Sequence, residues 1–143
     1  MQADLTRFID AQEDQYQTAL SELRSGRKRG HWMWFIFPQV RGLGQTQTSW
    51  RYGIASSAEA LAYMAHPVLG QRLLECTRTV LRFRHLGLEQ IFPPPDNLKF
   101  RSCMTLFSLQ EGAPPEFQRA LDAFCHGQKD PKTTDLLNGT SLS

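Results

Sequence analysis

An all-α fold in one compact domain follows from three features of the chain. Apolar residues recur at three- and four-residue intervals over most of its length, helix-start signals stand ahead of several of those runs, and the alternation of a half-buried strand is nearly absent. The first element is the best defined. Leu5, Phe8, Ile9, Gln12, Tyr16, Ala19, Leu20 and Leu23 share one stripe of a helix over residues 4–25, and Gly26 stands where a C-terminal cap belongs. Next, Trp32 and Phe35 are three apart, as are Trp34 and Phe37, which gives a short apolar helix that Pro38 ends. Ser56 with Glu59 forms an S-x-x-E capping box opening a helix to about residue 65. Pro67 in a first-turn position opens another, carrying Val68, Leu69, Leu73, Cys76, Val80 and Leu81. Residues 88–92 supply a single turn before Pro93, Pro94 and Pro95 halt it, and Asp96 is placed as N-cap of a helix containing Leu98, Met104, Leu106 and Phe107. Pro114 and Pro115 start a helix with Phe117, Ala120, Leu121 and Phe124; a short turn over residues 131–137 and a frayed polar tail over 138–143 follow. Residues 41–56, RGLGQTQTSWRYGIAS, show no regular pattern, and so long an irregular connection inside a compact domain is often functional.

Bulk properties narrow the possible functions. A chain of 143 residues and 16.3 kDa buries a real core without disulfides or metals. Sixteen Lys and Arg against 14 Asp and Glu leave a formal charge of +2, too balanced for the whole surface to bind nucleic acid, so only a local patch would do so. Cys76, Cys103 and Cys125 are odd in number and widely spaced, which argues for thiols in a reducing cytoplasm over a disulfide framework or a zinc knuckle. The chain opens directly into an amphipathic pattern with no apolar leader segment. Its longest bulky apolar run, residues 32–37, is far short of the roughly 20 residues of a membrane span.

Most catalytic motifs are missing. G-x-S-x-G, H-E-x-x-H and G-x-x-x-x-G-K-[ST] do not occur. Gly42-Leu43-Gly44 begins a dinucleotide-like pattern, yet Gln47 stands where its third Gly belongs and no βαβ context surrounds it. His31, His66, His85 and His126 have no shared helical face that would ligate a metal, and no cofactor is called for.

Three segments together resemble the bacterial family catalogued as domain of unknown function 1810. They are GRKRGHWMWFIFPQVRGLG over residues 26–44, EALAYMAHPVLGQRLLEC over 59–76 and DNLKFRSCMTLF over 96–107, in the family's order and spacing within a match over about residues 4–124. The resemblance implies a single small, mainly helical domain and assigns it no activity; no motif in this chain supports the calpastatin label that some members carry. Lys28, His31, Trp32, Trp34, Gln39, Gly42, Gly44, Tyr52, Asp96, Lys99 and Ser102 match the family pattern. Pro93 departs from it, standing where relatives often place Gly, which bears on the shape of the loop entering Asp96.

Each candidate has two accounts. Trp32, Trp34, Phe35 and Phe37 are core residues first, since burying a side chain of this size contributes about 1.5–3 kcal/mol. Two indole N–H groups beside His31 and Gln39 would also give a concave wall for a planar ligand. His31, whose ordinary pKa is about 6.5, suits proton transfer; a histidine hydrogen-bonded to a backbone carbonyl is the competing account. Arg27, Lys28 and Arg29 complement the preceding helix end. Alternatively, Lys28 and Arg41 hold a phosphate with the backbone N–H groups around Gly42, Leu43 and Gly44, and Arg51 adds to them. Asp96, Lys99, Ser102 and Cys103 share one helix face. Asp96 as N-cap and Lys99 as its local ion pair make the structural account, which explains Ser102 less well. Glu59 is accounted for by its capping box.

Three functions fit these residues. In the first, which they favour, the protein binds a small anionic, planar ligand such as a nucleotide or ADP-ribose derivative between residues 31–44 and 96–105, with hydrolysis or group transfer as an extension. His31, Asp96 and Lys99 are then the candidate catalytic residues. Lys28, Trp32, Trp34, Gln39, Arg41, Gly42, Gly44, Tyr52 and Ser102 are the ligand-binding ones. The Glu-helix-LGxRL arrangement is similar to that of helical proteins linked to NAD and ADP-ribose chemistry. In the second, RKRGHWMWF is exposed and binds a peptide or single-stranded nucleic acid by charge and stacking. The third is a structural role for the whole motif. Exposure separates them, because rings walling a concavity suit a small ligand and rings spread on a flat basic face suit a larger partner.

Overall fold

The three- and four-residue periodicity becomes helix in each region where it was expected, with several changes of boundary; the helix expected to open at Pro67 starts at Leu69, with Val68 as its N-cap. In the computed structural model, which describes residues 4–139, ten helices and no strand occur among the described residues. The single helix expected over residues 4–25 is in fact two, α1 (Thr6–Glu13) and α2 (Tyr16–Arg24), broken at Asp14 and Gln15. Asp10, Glu13 and Asp14 crowd the negative end of α1, where the macrodipole disfavours acids, and aspartate is a weak helix former. The break leaves the buried amide of Gln12 donating to the Phe35 carbonyl at 2.7 Å and to the Tyr63 hydroxyl at 3.1 Å. Gly26 closes α2, its N–H on the Leu23 carbonyl at 3.0 Å.

Another change lies in residues 41–56. After α3 (Met33–Ile36) the chain forms α4 (Gln47–Arg51), opened by a reciprocal capping box in which Thr46 and Ser49 exchange backbone-to-hydroxyl bonds of 3.0 and 3.1 Å. A T-x-x-S box lacks the usual Glu or Gln, and the helix has no buried residue, so no apolar stripe announced it. An isolated parallel bridge, Val40 to Ile54, closes this loop, with Ile54 N–H on the Gln39 carbonyl and Arg41 N–H on the Ile54 carbonyl, both at 2.8 Å.

The remaining helices follow in order: α5 (Ser57–Ala65), α6 (Leu69–Leu81), α7 (Leu88–Ile91), α8 (Asp96–Ser108), α9 (Glu116–Cys125) and α10 (Pro131–Leu137). Ser56 caps α5 as expected, accepting the Glu59 N–H at 3.1 Å, while the Glu59 carboxylate turns to the Ala55 N–H at 2.9 Å and to Arg7 at 2.8 Å. Asp96 is the first residue of α8 and not its N-cap; Pro95 takes the cap position and no side chain caps the helix. The expected turn over residues 131–137 is a seven-residue helix capped by Asp130, whose carboxylate accepts the Thr133 N–H at 3.0 Å. Of the tail expected to fray, Asn138 forms the C-cap of α10 and residues 140–143 lie outside the described residues.

One hydrophobic cluster runs through the molecule from Leu5 to Leu121. Its centre is α6 and α8, whose Leu73, Cys76 and Val80 and whose Phe100, Cys103, Met104 and Phe107 are buried, with α2, α5 and α9 packed on α6. Phe37, from the motif, meets Phe92 and Phe100 edge-on at 5.6 and 5.1 Å, which pins α3 to the head of α8. Among the described residues no helix is long and apolar enough to cross a membrane.

Candidate functional site

The loop leaving α2 is organised by a carboxylate that sequence inspection passed over. One oxygen of Glu22, in the last two turns of α2, accepts the backbone N–H groups of Arg29 and Gly30 at 2.7 and 2.8 Å and the Trp32 indole N–H at 2.9 Å. Burial alone would raise the pKa of Glu22; the two backbone donors, the indole and the Lys28 charge outweigh it and hold the carboxyl below its usual value. An acid near the negative end of a helix was the available signal, because it is unfavourable there unless something else binds it. Gly30 is needed for the same contact: a Cβ at that position would stand 2.9 Å from the Trp32 ring. Trp32 is consequently fully buried, with its polar atom satisfied, and belongs to the core and not to a ligand-facing wall.

Five of the expected site residues do come together. The buried Lys28 ammonium lies 2.7 Å from one oxygen of Asp96, and Lys99 lies 3.5 Å from the other. Lys28 also donates to the Gly30 carbonyl and sits 5.2 Å from the centre of the Trp32 ring. Lys99 stands 3.7 Å above the ring of Trp34, which is only half-buried. Two ammonium groups thus share one carboxylate at the head of α8, where the dipole also favours the negative charge. The local ion pair of Lys99 with Asp96 is present as expected, while the capping role of Asp96 is replaced by a tie to the loop after α2.

The other candidates lie elsewhere. The phosphate cradle of Lys28 with Arg41 and the Gly42 to Gly44 backbone does not assemble, since the two cations are committed to different partners. Arg41 stacks on Trp50 at 4.7 Å and donates to its carbonyl at 2.9 Å. Tyr52 is wedged against Phe8 and Phe35 at 6.1 and 5.5 Å, a packing position. Gly42 lies against Leu136 of α10, a Cβ there standing 3.5 Å from its side chain, with both bordering an open hollow of about 320 Å³, and Gly44 abuts Ser49 of α4. Gln39 is half-buried and spends its carbonyl on Ile54. Ser102 is buried, its hydroxyl donating to the Leu98 carbonyl at 3.0 Å with the Asp130 carboxylate 3.4 Å away, beside the Asp130 N–H that the Thr105 hydroxyl accepts at 2.9 Å, so it sits in the seam between α8 and α10. His31 is exposed, one residue beyond the carbonyl that Lys28 holds, and no hydrogen bond joins it to Asp96 among the described residues. No group of three or more His, Cys, Asp or Glu among the described residues is disposed to hold a metal.

The arrangement is that of a charged tie between loop and helix, edged by one half-buried indole, and a solved relative shares the fold. A crystal structure of the conserved hypothetical protein Rv1873 from Mycobacterium tuberculosis is similar to this chain with a TM-score of 0.92 and 49% sequence identity, over 94% of this chain and 96% of that one. The comparison with curated proteins found no match. The model of the family described as protein of unknown function (DUF1810) matches residues 2–137, nearly the whole chain. With the three sequence segments folded around one core, the chain belongs to that family.

Proposed function

We propose that the protein binds a small anionic, planar molecule of the nucleotide or ADP-ribose kind on the face of Trp34. The observation that carries this reading is the ammonium of Lys99 resting 3.7 Å over a half-buried indole, next to a carboxylate that already has Lys28 as a closer partner. Lys99 is the more exposed and longer-held of the two cations, and its flexible stem lets it leave the ring without stranding Asp96. A flat ring then takes its place on Trp34, and the ammonium follows the phosphate. Stacking and charge together suit such a ligand. Hydrolysis or transfer, where it occurs, falls to His31, the exposed imidazole one residue after the Gly30 carbonyl that Lys28 holds. Asp96 acts as a positioning residue. The three free thiols support a cytoplasmic setting.

Thermal unfolding with AMP, NAD and ADP-ribose tests this, with tryptophan fluorescence followed in parallel. A ligand at about 100 times its Kd adds about 2.7 kcal/mol of stability. The gain should disappear in Lys99→Ala and Trp34→Leu; a ligand that stabilises these variants as well as wild type sinks the reading, as does the absence of any shift.

A second reading has its own observation. Trp50 is 60% exposed and lies under Arg41 on α4, beside the exposed Arg51, a combination of stacking face and charge that suits a peptide or single-stranded nucleic acid. Retention of oligonucleotide or peptide by wild type and its loss in Trp50→Ala would favour this module over the small-ligand site.

A further inference from the structure

α2 and α6 pack together and leave an open cleft of about 500 Å³. Its walls carry four arginines, Arg24 from α2, Arg72 and Arg78 from α6 and Arg82 just past the end of α6, against one carboxylate, Glu75. On α6, residues 72, 75, 79 and 82 recur at three- and four-residue intervals and so line one stripe. Complementing the negative ends of helices accounts for Arg24 and Arg78, in last turns, and for Arg82, the C-cap of α6. It does not account for Arg72, which stands in the first turn of α6, the positive end.

The neighbouring acids do not neutralise this cluster. Glu75 accepts the Tyr16 hydroxyl and lies 3.8 Å from Arg24, and Arg78 is held by Glu116 at 2.7 Å. Among the described residues Arg72 has only neutral partners, the Gln12 side-chain oxygen at 3.3 Å and the Tyr16 ring at 4.6 Å. The Arg82 guanidinium has no hydrogen-bond or ion-pair partner among the described residues. With Glu75 and Glu116 both counted, two positive charges remain uncompensated. Arg72 is half-buried and Arg78, although exposed, is held closely by Glu116, while the exposed Arg24, only 3.8 Å from Glu75, and the exposed Arg82 are able to close on a guest.

We infer that this cleft is a separate anion site for a phosphate-bearing small molecule with two adjacent phosphoryl groups. Guanidinium forks match phosphate oxygens in pairs, which favours phosphate over a simple halide or a lone carboxylate. A cleft with charged walls also concentrates anions around it. The volume and the spread of the arginines over two helices exceed what a single orthophosphate would engage.

Calorimetric titration of the full chain with pyrophosphate, and separately with inorganic phosphate, tests the assignment in low-salt buffer. Saturable binding of pyrophosphate is expected, tighter than that of phosphate, and weakened roughly tenfold by Arg24→Ala or by Arg82→Ala, the loss of about one charge-assisted contact. Lys132→Ala, which removes an exposed positive charge on α10, should leave the affinity unchanged. Both arginines are exposed, so the variants should keep the fold, and thermal unfolding checks this. No saturable binding at millimolar pyrophosphate overturns the assignment. So does an affinity that the arginine variants leave intact, or one that Lys132→Ala lowers equally.

Discussion

The oxygen of Glu22 that accepts the Trp32 indole N–H at 2.9 Å is the same one that accepts the backbone N–H groups of Arg29 and Gly30. A single carboxylate therefore sets the path of the loop and the placement of the largest buried ring. Glu22→Ala should cost about 2 kcal/mol in urea unfolding, because it strands a buried indole N–H. Glu22→Gln, which keeps an acceptor oxygen, should cost less. The folded-state pKa of Glu22 lies below the unfolded one, so its stabilisation is complete above the unfolded value and drains away as pH falls through the folded value. Stability measured below about pH 5 should accordingly fall less steeply in Glu22→Gln than in wild type.

Lys28 keeps only 8% of its side-chain surface exposed, and Asp96 17%. Asp96→Asn should destabilise the chain by about 2–3 kcal/mol, somewhat under the cost of stranding a fully buried ion, since water still reaches part of the carboxylate. Lys28→Met combined with Asp96→Asn should be milder than the two single changes added together. A double-mutant cycle by chemical unfolding measures this, and simple additivity would show that the pair is not coupled.

Helices α5 and α6 meet so closely that a Cβ on Gly70 would stand 2.1 Å from the Met64 carbonyl oxygen. Backbone cannot yield as a side-chain tip does. Gly70→Ala should lower Tm by several degrees, a loss of about 2 kcal/mol or more, although alanine is the better helix former.

Burial pushes the Cys76 thiol up to about 12, raises Cys103 well above its usual value, and raises the half-buried Cys125 as well. Thiolate is the reactive form, so a disulfide reagent at neutral pH should modify Cys125 first and slowly. Cys76 and Cys103 should react only with unfolding, and counting modified thiols with and without denaturant separates the two classes. Rapid reaction of all three in the native protein would contradict the packing.

Helix positions were legible wherever an apolar stripe or a proline marked them, as at Leu69 to Leu81 and after Pro115. The break between Glu13 and Tyr16 was not, because Leu5 to Leu23 keep their spacing across it and only local charge argues against continuity. Of the site, the Asp96–Lys99 pair could be read from spacing alone. Its tie to Lys28, and the dependence of Trp32 on Glu22, join parts of the chain whose meeting only tertiary packing decides. Arg41 was misplaced for the same reason: the helix containing Trp50 was invisible, so the partner that captures it was too.

Several ties of this molecule span long stretches of chain: Arg7 to Glu59 over 52 residues, Tyr16 to Glu75 over 59 and Arg72 to Gln12 over 60. Helical proteins usually fold fast because their contacts are local. In this one α1 and α2 also hold ties that close only after half the chain has been gathered in, so loop-closure entropy opposes those steps. On a ribosome, α1 and α2 could settle on α3 and the loop before it, but would wait for α5 and α6 to emerge before their remaining ties formed.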